Sequence, residues 1–143
     1  MELDCEFCQI VRGERPAQVV GDAPDALAFL PLRPVCPGHT IVIPKTHVRD
    51  LWAAGSLPST GLMQAVIRVG HAIDTALRPD GLNLISSAGQ AASQTVFHLH
   101  LGAAGGRAGP AGAAARLAFA RPSGVGHPGA DHPGAAAAAV QTS

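Results

Sequence analysis

From Gly102 to Ser143, 28 of 42 residues are Ala, Gly or Pro, which confines any densely packed core to the 101 residues before them. The segment holds one leucine, Leu117, one phenylalanine, Phe119, and a GHPGADHPGAAAAA run, with no sustained helical or strand period. Side chains this small bury too little apolar surface to offset the entropy lost on ordering, so the composition predicts disorder. His127 and His132 recur there in the same His-Pro-Gly context, which marks them as low-complexity residues without function. The chain thus divides into a folded domain over 1–101 and a tail over 102–143, with an abrupt boundary at Leu101.

The whole chain, 143 residues and 14.4 kDa, has the size of one domain. Ten Lys and Arg balance ten Asp and Glu, so no basic field argues for specific nucleic-acid binding. No apolar run approaches the roughly 18–20 residues of a membrane span. The opening MELDCEFCQIVRGERP is acidic and lacks the basic-then-apolar pattern of a secretory signal. A cytoplasmic protein without a membrane partner is expected. Cys5, Cys8 and Cys36 are too few for a disulfide framework, while Cys5-Glu-Phe-Cys8 is a C-x-x-C that points to metal or redox chemistry. Thioredoxin-like motifs sit between a strand and a helix of a βαβ unit, whereas Cys5 lies almost at the terminus. Cys36, in a proline-rich link, reads as a buried or half-exposed thiol.

Alternation and punctuation within 1–101 predict strands over 17–20, 26–30, 39–44, 82–86 and 95–101. A short helix is expected over 5–11, ended by Gly13. A long helix is expected over 60–77, with Ser59 as its N-cap and Arg78-Pro79-Asp80-Gly81 as its stop. Strands that return on one another around one long helix give an α+β fold: a five-stranded antiparallel sheet with helices packed on it.

The most informative segment is Gln94-Thr-Val-Phe-His-Leu-His-Leu101. In a strand, His98 and His100 share one face with Val96, roughly 6–7 Å apart, and Phe97, Leu99 and Leu101 take the other. Packing rarely needs two imidazoles on one face, so the pair reads as a nucleophile or metal site, against the alternative of a surface-facing pair.

These residues resemble the histidine triad (HIT) family, whose signature is His-φ-His-φ-His-φ-φ, φ being apolar, after a small-Gln-Ser/Thr-Val-aromatic run. Three further segments resemble the family in the correct order: Cys5 to Ala17, Pro37-Gly-His-Thr-Ile-Val-Ile-Pro-Lys-Thr-His47, and Gly81-Leu-Asn-Leu-Ile-Ser-Ser-Ala-Gly89. The resemblance covers 4–101. It implies a HIT-like fold and a hydrolase or nucleotidyl transferase acting on purine nucleoside phosphoramidates or dinucleoside polyphosphates. It makes His100 the nucleophile at the α-phosphorus, forming a nucleotidyl-histidine that water or another acceptor resolves. Such an imidazole needs one nitrogen free and the other hydrogen-bonded to an acceptor. The resemblance further implies that Gln94 and Thr95 contact the α-phosphate, with Asn83, Ser87 and His39 as nucleotide-contacting or supporting residues; Asn83 serves equally well as a strand-end residue. Cys5, Cys8, His47 and His98 would complete a tetrahedral Cys2His2 site, and the matching positions in bacterial members hold structural zinc; two cysteines near a helix start are also often simply buried. Family members pair as homodimers through the long helix and a sheet edge.

The sequence departs from the family at three places. Gly102 stands where the third histidine belongs, and Gly-Ala-Ala-Gly-Gly-Arg107 replaces the usual His-φ-φ-Pro-Arg continuation. Pro31 stands where many members have an aspartate for the ribose hydroxyls, and Ser87 where an asparagine often lies. The alternative these departures open is a nucleotide-binding or zinc-stabilised pseudoenzyme. Ala, Gly, Pro and Arg are the residues of codons rich in G and C, so a shifted reading frame after Leu101 accounts for both the broken motif and the tail. A naturally divergent tail is the rival. The coding DNA distinguishes them: another frame encoding a third histidine followed by φ-φ-Pro-Arg establishes the shift, and no such frame refutes it.

Overall fold

Seven principal elements follow in the order α1 (Glu6–Val11), β1 (Gln18–Asp22), β2 (Ala26–Leu30), β3 (Thr40–Pro44), α2 (Ser59–Leu77), β4 (Gly81–Ile85) and β5 (Leu101–Gly106). They are seen in a computed structural model that describes residues 4–55, 57 and 59–106. The strands form one sheet in the order β1-β2-β3-β5-β4, every pair antiparallel. This is the α+β architecture that the alternating apolar segments predict.

The alternation of β2 explains why a helix lies on each side. Leu27 and Phe29 point to one face and cluster with Ile43 of β3 and Phe7 of α1. Ala26 and Ala28 point to the other and cluster with Val42, Leu99 and the α2 residues Leu62, Ala65 and Val66. Small residues under α2 also leave a groove of about 460 Å³ along β1 and β2, lined by Ala26, Ala28, Ala65, Val69 and Ala72. The groove lies on the sheet face opposite the histidines. Among the described residues, no helix is long and apolar enough to cross a membrane.

The last predicted strand needs correction. Residues 95–100 are not a strand; β5 starts at Leu101 and runs to Gly106. The β-branched and aromatic residues before Leu101 spend their backbone groups elsewhere: Leu99 N–H donates to Val48 O at 2.6 Å, and His98 N–H to Val96 O at 2.8 Å. Gly102 to Gly106 have poor strand propensity, but all five pair with β4, and Gly102 and Ala103 pair with β3 as well, with Gly102 opposite Ile41 and Ile85. Position in the ladder outweighs propensity here. The alternation still holds for Val96, which packs on the α1 face, and for Leu99 and Leu101, which pack on the α2 face. Phe97 is the exception; it is exposed and lies 4.8 Å beneath the Arg49 guanidinium.

The sheet thus continues five residues past the compositional boundary at Leu101. The remaining tail, 107–143, with His127, His132 and the expected disorder, lies outside the described residues, as does the side chain expected to cap α2, that of Ser59.

Candidate active site and metal centre

The site is assembled by strapping the segment 94–99 onto 44–49. Besides the Leu99–Val48 bond, Gln94 Nε2 donates to Arg49 O at 2.8 Å and His98 Nε2 donates to Pro44 O at 2.9 Å. These bonds bring the rings of His47 and His98 to 4.9 Å, nearly perpendicular. On α1, Cys5 at the N-cap and Cys8 three residues later project from the same side of the helix. Their thiols meet the two imidazoles: Cys5 Sγ lies 3.5 Å from His98 Nδ1, Cys8 Sγ 3.3 Å from His47 Nδ1 and 3.6 Å from His98 Nδ1.

All four ligand atoms lie within 4.8 Å of one another. A tetrahedral ion with bonds of about 2.0 Å to nitrogen and 2.3 Å to sulfur separates its ligands by roughly 3.5 Å, so the donor set and its spacing fit zinc. The protonation states fit as well. With its Nε2–H given to Pro44 O, His98 presents the Nδ1 lone pair to the thiols, the arrangement typical of a metal-bound histidine. Burial pushes its pKa down to about 4, against a smaller opposing effect of the Pro44 hydrogen bond. The ring is therefore neutral at pH 7, the form that ligates metal.

His100 lies on the same face. Its Nδ1–H donates to the His98 carbonyl at 2.8 Å, and Nε2 lies outside that bond. Gly102 follows two residues on and is flanked across the sheet by Ile41 and Ile85. The next row on this face pairs Asn83 with Ala104, and His39 immediately precedes β3. His39 is buried, its Nδ1 accepts the Val35 N–H at 3.2 Å, and burial lowers its pKa. Ser87 is half-buried just beyond β4, Thr95 is exposed and Pro31 follows β2.

Gln94 has a different place from a free phosphate donor. It is buried, its Oε1 accepts the Gly89 N–H at 2.7 Å, and its Nε2 is shared between Arg49 O and Val96 O. The amide thereby fixes the loop 89–96. Gly89 sits at φ 82°, where a side chain is strained. Cys36 is half-buried and away from the other two cysteines; burial raises its thiol pKa, with a smaller lowering effect of the Gly105 backbone. Phe7 is the contact that the sequence reading missed: its ring meets both His98 and His100. The signal was its place between the two cysteines of the C-x-x-C.

Comparison with known proteins agrees with this geometry. The profile of the HIT domain family matches residues 12–108. The chain is 37% identical over 98 residues to "Protein hit" of Bacillus subtilis, covering 68% of each sequence. It is 33% identical over 101 residues to "Adenylylsulfatase HINT3" of Arabidopsis thaliana, spanning 71% of this chain and about half, 51%, of that protein. The crystal structure of a HIT family protein from Bacillus anthracis superposes with a TM-score of 0.72 at 35% identity, over 78% of this chain and 79% of that one. A Zn-bound histidine triad family protein from Mycobacterium smegmatis superposes at 0.66 and 36% identity, over 82% of this chain and 92% of that one. On the sheet, the paired histidines and these matches together, the chain belongs to the histidine triad family, with glycine in place of the motif's third histidine.

Proposed function

We propose that the protein is a nucleotide hydrolase or transferase that attacks the α-phosphorus of purine nucleoside phosphoramidates or dinucleoside polyphosphates through His100. The observation that carries this reading is the 2.8 Å bond from His100 Nδ1–H to the His98 carbonyl. It holds the ring with Nδ1–H engaged and Nε2 outside that bond, the orientation an imidazole nucleophile needs. Nε2 forms a bond to phosphorus as the bond to the leaving group breaks, and the leaving group takes the electron pair. The Nδ1–H hydrogen bond stabilises the positive charge that the ring acquires. Water then attacks phosphorus, the P–Nε2 bond breaks, and the nucleoside monophosphate and a proton are released. The resemblance to an adenylylsulfatase supports an adenylyl-type substrate.

Thr95 and Ser87 are proposed to meet the α-phosphate and nucleotide, Asn83 and His39 to bind or support it, and Gln94 to act by fixing the loop. Gly102 offers no side chain beside His100. By analogy with supporting hydrogen bonds at other sites, the loss is about 10–100-fold in rate, and it favours the second reading, a nucleotide-binding domain without turnover. Hydrolysis of adenosine phosphoramidate separates them. Under the enzyme reading the wild type turns over and His100→Ala loses roughly 10³-fold or more. Equal rates in the two proteins, or no turnover in either, contradict it.

Cys5, Cys8, His47 and His98 are proposed to hold zinc, which ties α1 to the sheet and supplies structural rather than reactive chemistry. A cytoplasmic location is proposed with it, because a reducing compartment keeps cysteine thiols available to a metal. Purified protein should carry close to one zinc per chain and Cys8→Ser much less. Chelation should lower stability by about 2–4 kcal/mol, or roughly 10–25 °C in unfolding midpoint for a domain of this size. A metal-free preparation with an unchanged midpoint contradicts the assignment.

A homodimer is proposed from one apolar surface. Met63 and Ile67 of α2 and Leu82 and Leu84 of β4 are all exposed, at 46%, 51%, 45% and 42%. Gly70 continues the α2 stripe and faces Leu82. Light scattering should give twice the chain mass for the wild type and the single mass for Ile67→Glu; a monomeric wild type refutes it.

A further inference from the structure

Helix α1 carries two of the four clustered ligands and, between them, Phe7. The Phe7 ring lies edge-to-face against His98, with centroids 5.8 Å apart and planes at 66°, and against His100, 5.5 Å apart at 88°. Behind it, Phe29 closes at 5.4 Å. Phe7 is 7% exposed, so it has little room to leave this position. The single hydrogen bond from His100 Nδ1–H does not by itself fix the nucleophile, because the second side-chain torsion of histidine has broad, roughly two-fold wells. A half-turn of the ring would carry Nδ1 away from the His98 carbonyl. The Phe7 ring is the second restraint, and its own place is set by Cys5 and Cys8 flanking it.

We propose that Phe7 is a positioning residue for His100, and that the Cys2His2 centre, by anchoring α1, holds the nucleophile in its Nδ1–H orientation. This rests on reading His100 as the nucleophile. Cys5, Cys8, His47 and His98, were they to hold zinc, would fix His100 without touching substrate: through the peptide of His98 on one side, and through α1 and Phe7 on the other.

Long-range proton–nitrogen NMR of full-length, histidine-labelled protein shows which ring nitrogen of His100 carries the proton. In zinc-loaded wild type a single Nδ1–H form is expected. In Phe7→Leu, at unchanged zinc content, both tautomers should appear, and kcat should fall about 2- to 10-fold, the size of one lost aromatic contact, with KM within about twofold. Phe29→Leu removes a similar volume from the same cluster without touching His100 and should keep the single form. Wild type stripped of zinc by a chelator should show the mixture while circular dichroism retains the sheet; this arm decides the matter if Phe7→Leu does not fold. A single Nδ1–H form in Phe7→Leu or in the stripped protein overturns the proposal, as does a mixture in Phe29→Leu equal to that in Phe7→Leu. Absence of turnover in the wild type defeats the nucleophile reading alone, and the spectra still decide whether Phe7 orients the ring.

Discussion

One buried residue, His98, connects everything that gives this domain a chemical site. Its ring meets Cys5 and Cys8 through Nδ1 and gives its Nε2–H to Pro44 at the end of β3. Its backbone carbonyl accepts the Nδ1–H of His100. The ring thus joins the first helix to the middle of the sheet, and the peptide holds the His100 imidazole. An unpaired imidazole at 0% exposure is costly; here both nitrogens have partners, so the same contacts that satisfy the buried ring also build the site. Replacing His98 by an apolar residue would break up the Cys–His cluster and leave the Pro44 carbonyl without its partner.

Much of this was legible in the amino-acid sequence, for physical reasons that differ from residue to residue. The alternation Ala26-Leu-Ala-Phe29 announces a strand buried on both faces, and small residues under α2 with large ones under α1 are its direct consequence. The four metal-site residues are separated by up to 93 positions, and local pattern alone could not join them. The family resemblance does that, and the fold brings the four together. Thr95 to His100 look more strand-like than Gly102 to Gly106, so residue preference puts the last strand earlier than Leu101–Gly106, where it lies. What the composition could not show is that the glycines and alanines occupy a slot between two existing strands. The commitments of the Gln94 amide were equally invisible, since they depend on a loop closing around Gly89 and Arg49.

Gly102 gives the domain its particular character. Its backbone belongs to the ladder between Ile41 and Ile85, so the sheet survives the change while the site loses a polar side chain next to His100. Fold and catalytic equipment are thereby separable: the first depends on backbone pairing and the two apolar clusters, the second on what projects from one face. The scaffold that fixes His100 is independent of residue 102, because it comes from His98, Pro44 and α1.

The central claim is that His100 becomes covalently nucleotidylated. Its most direct test is to mix stoichiometric protein with an adenosine phosphoramidate and quench in alkali, where a phosphorus–nitrogen bond to imidazole persists. The modified peptide is then located by mass spectrometry. The expected result is one adenylyl group on the peptide that contains His100, absent from His100→Ala. Turnover without any adduct, or an adduct on another residue, would contradict it.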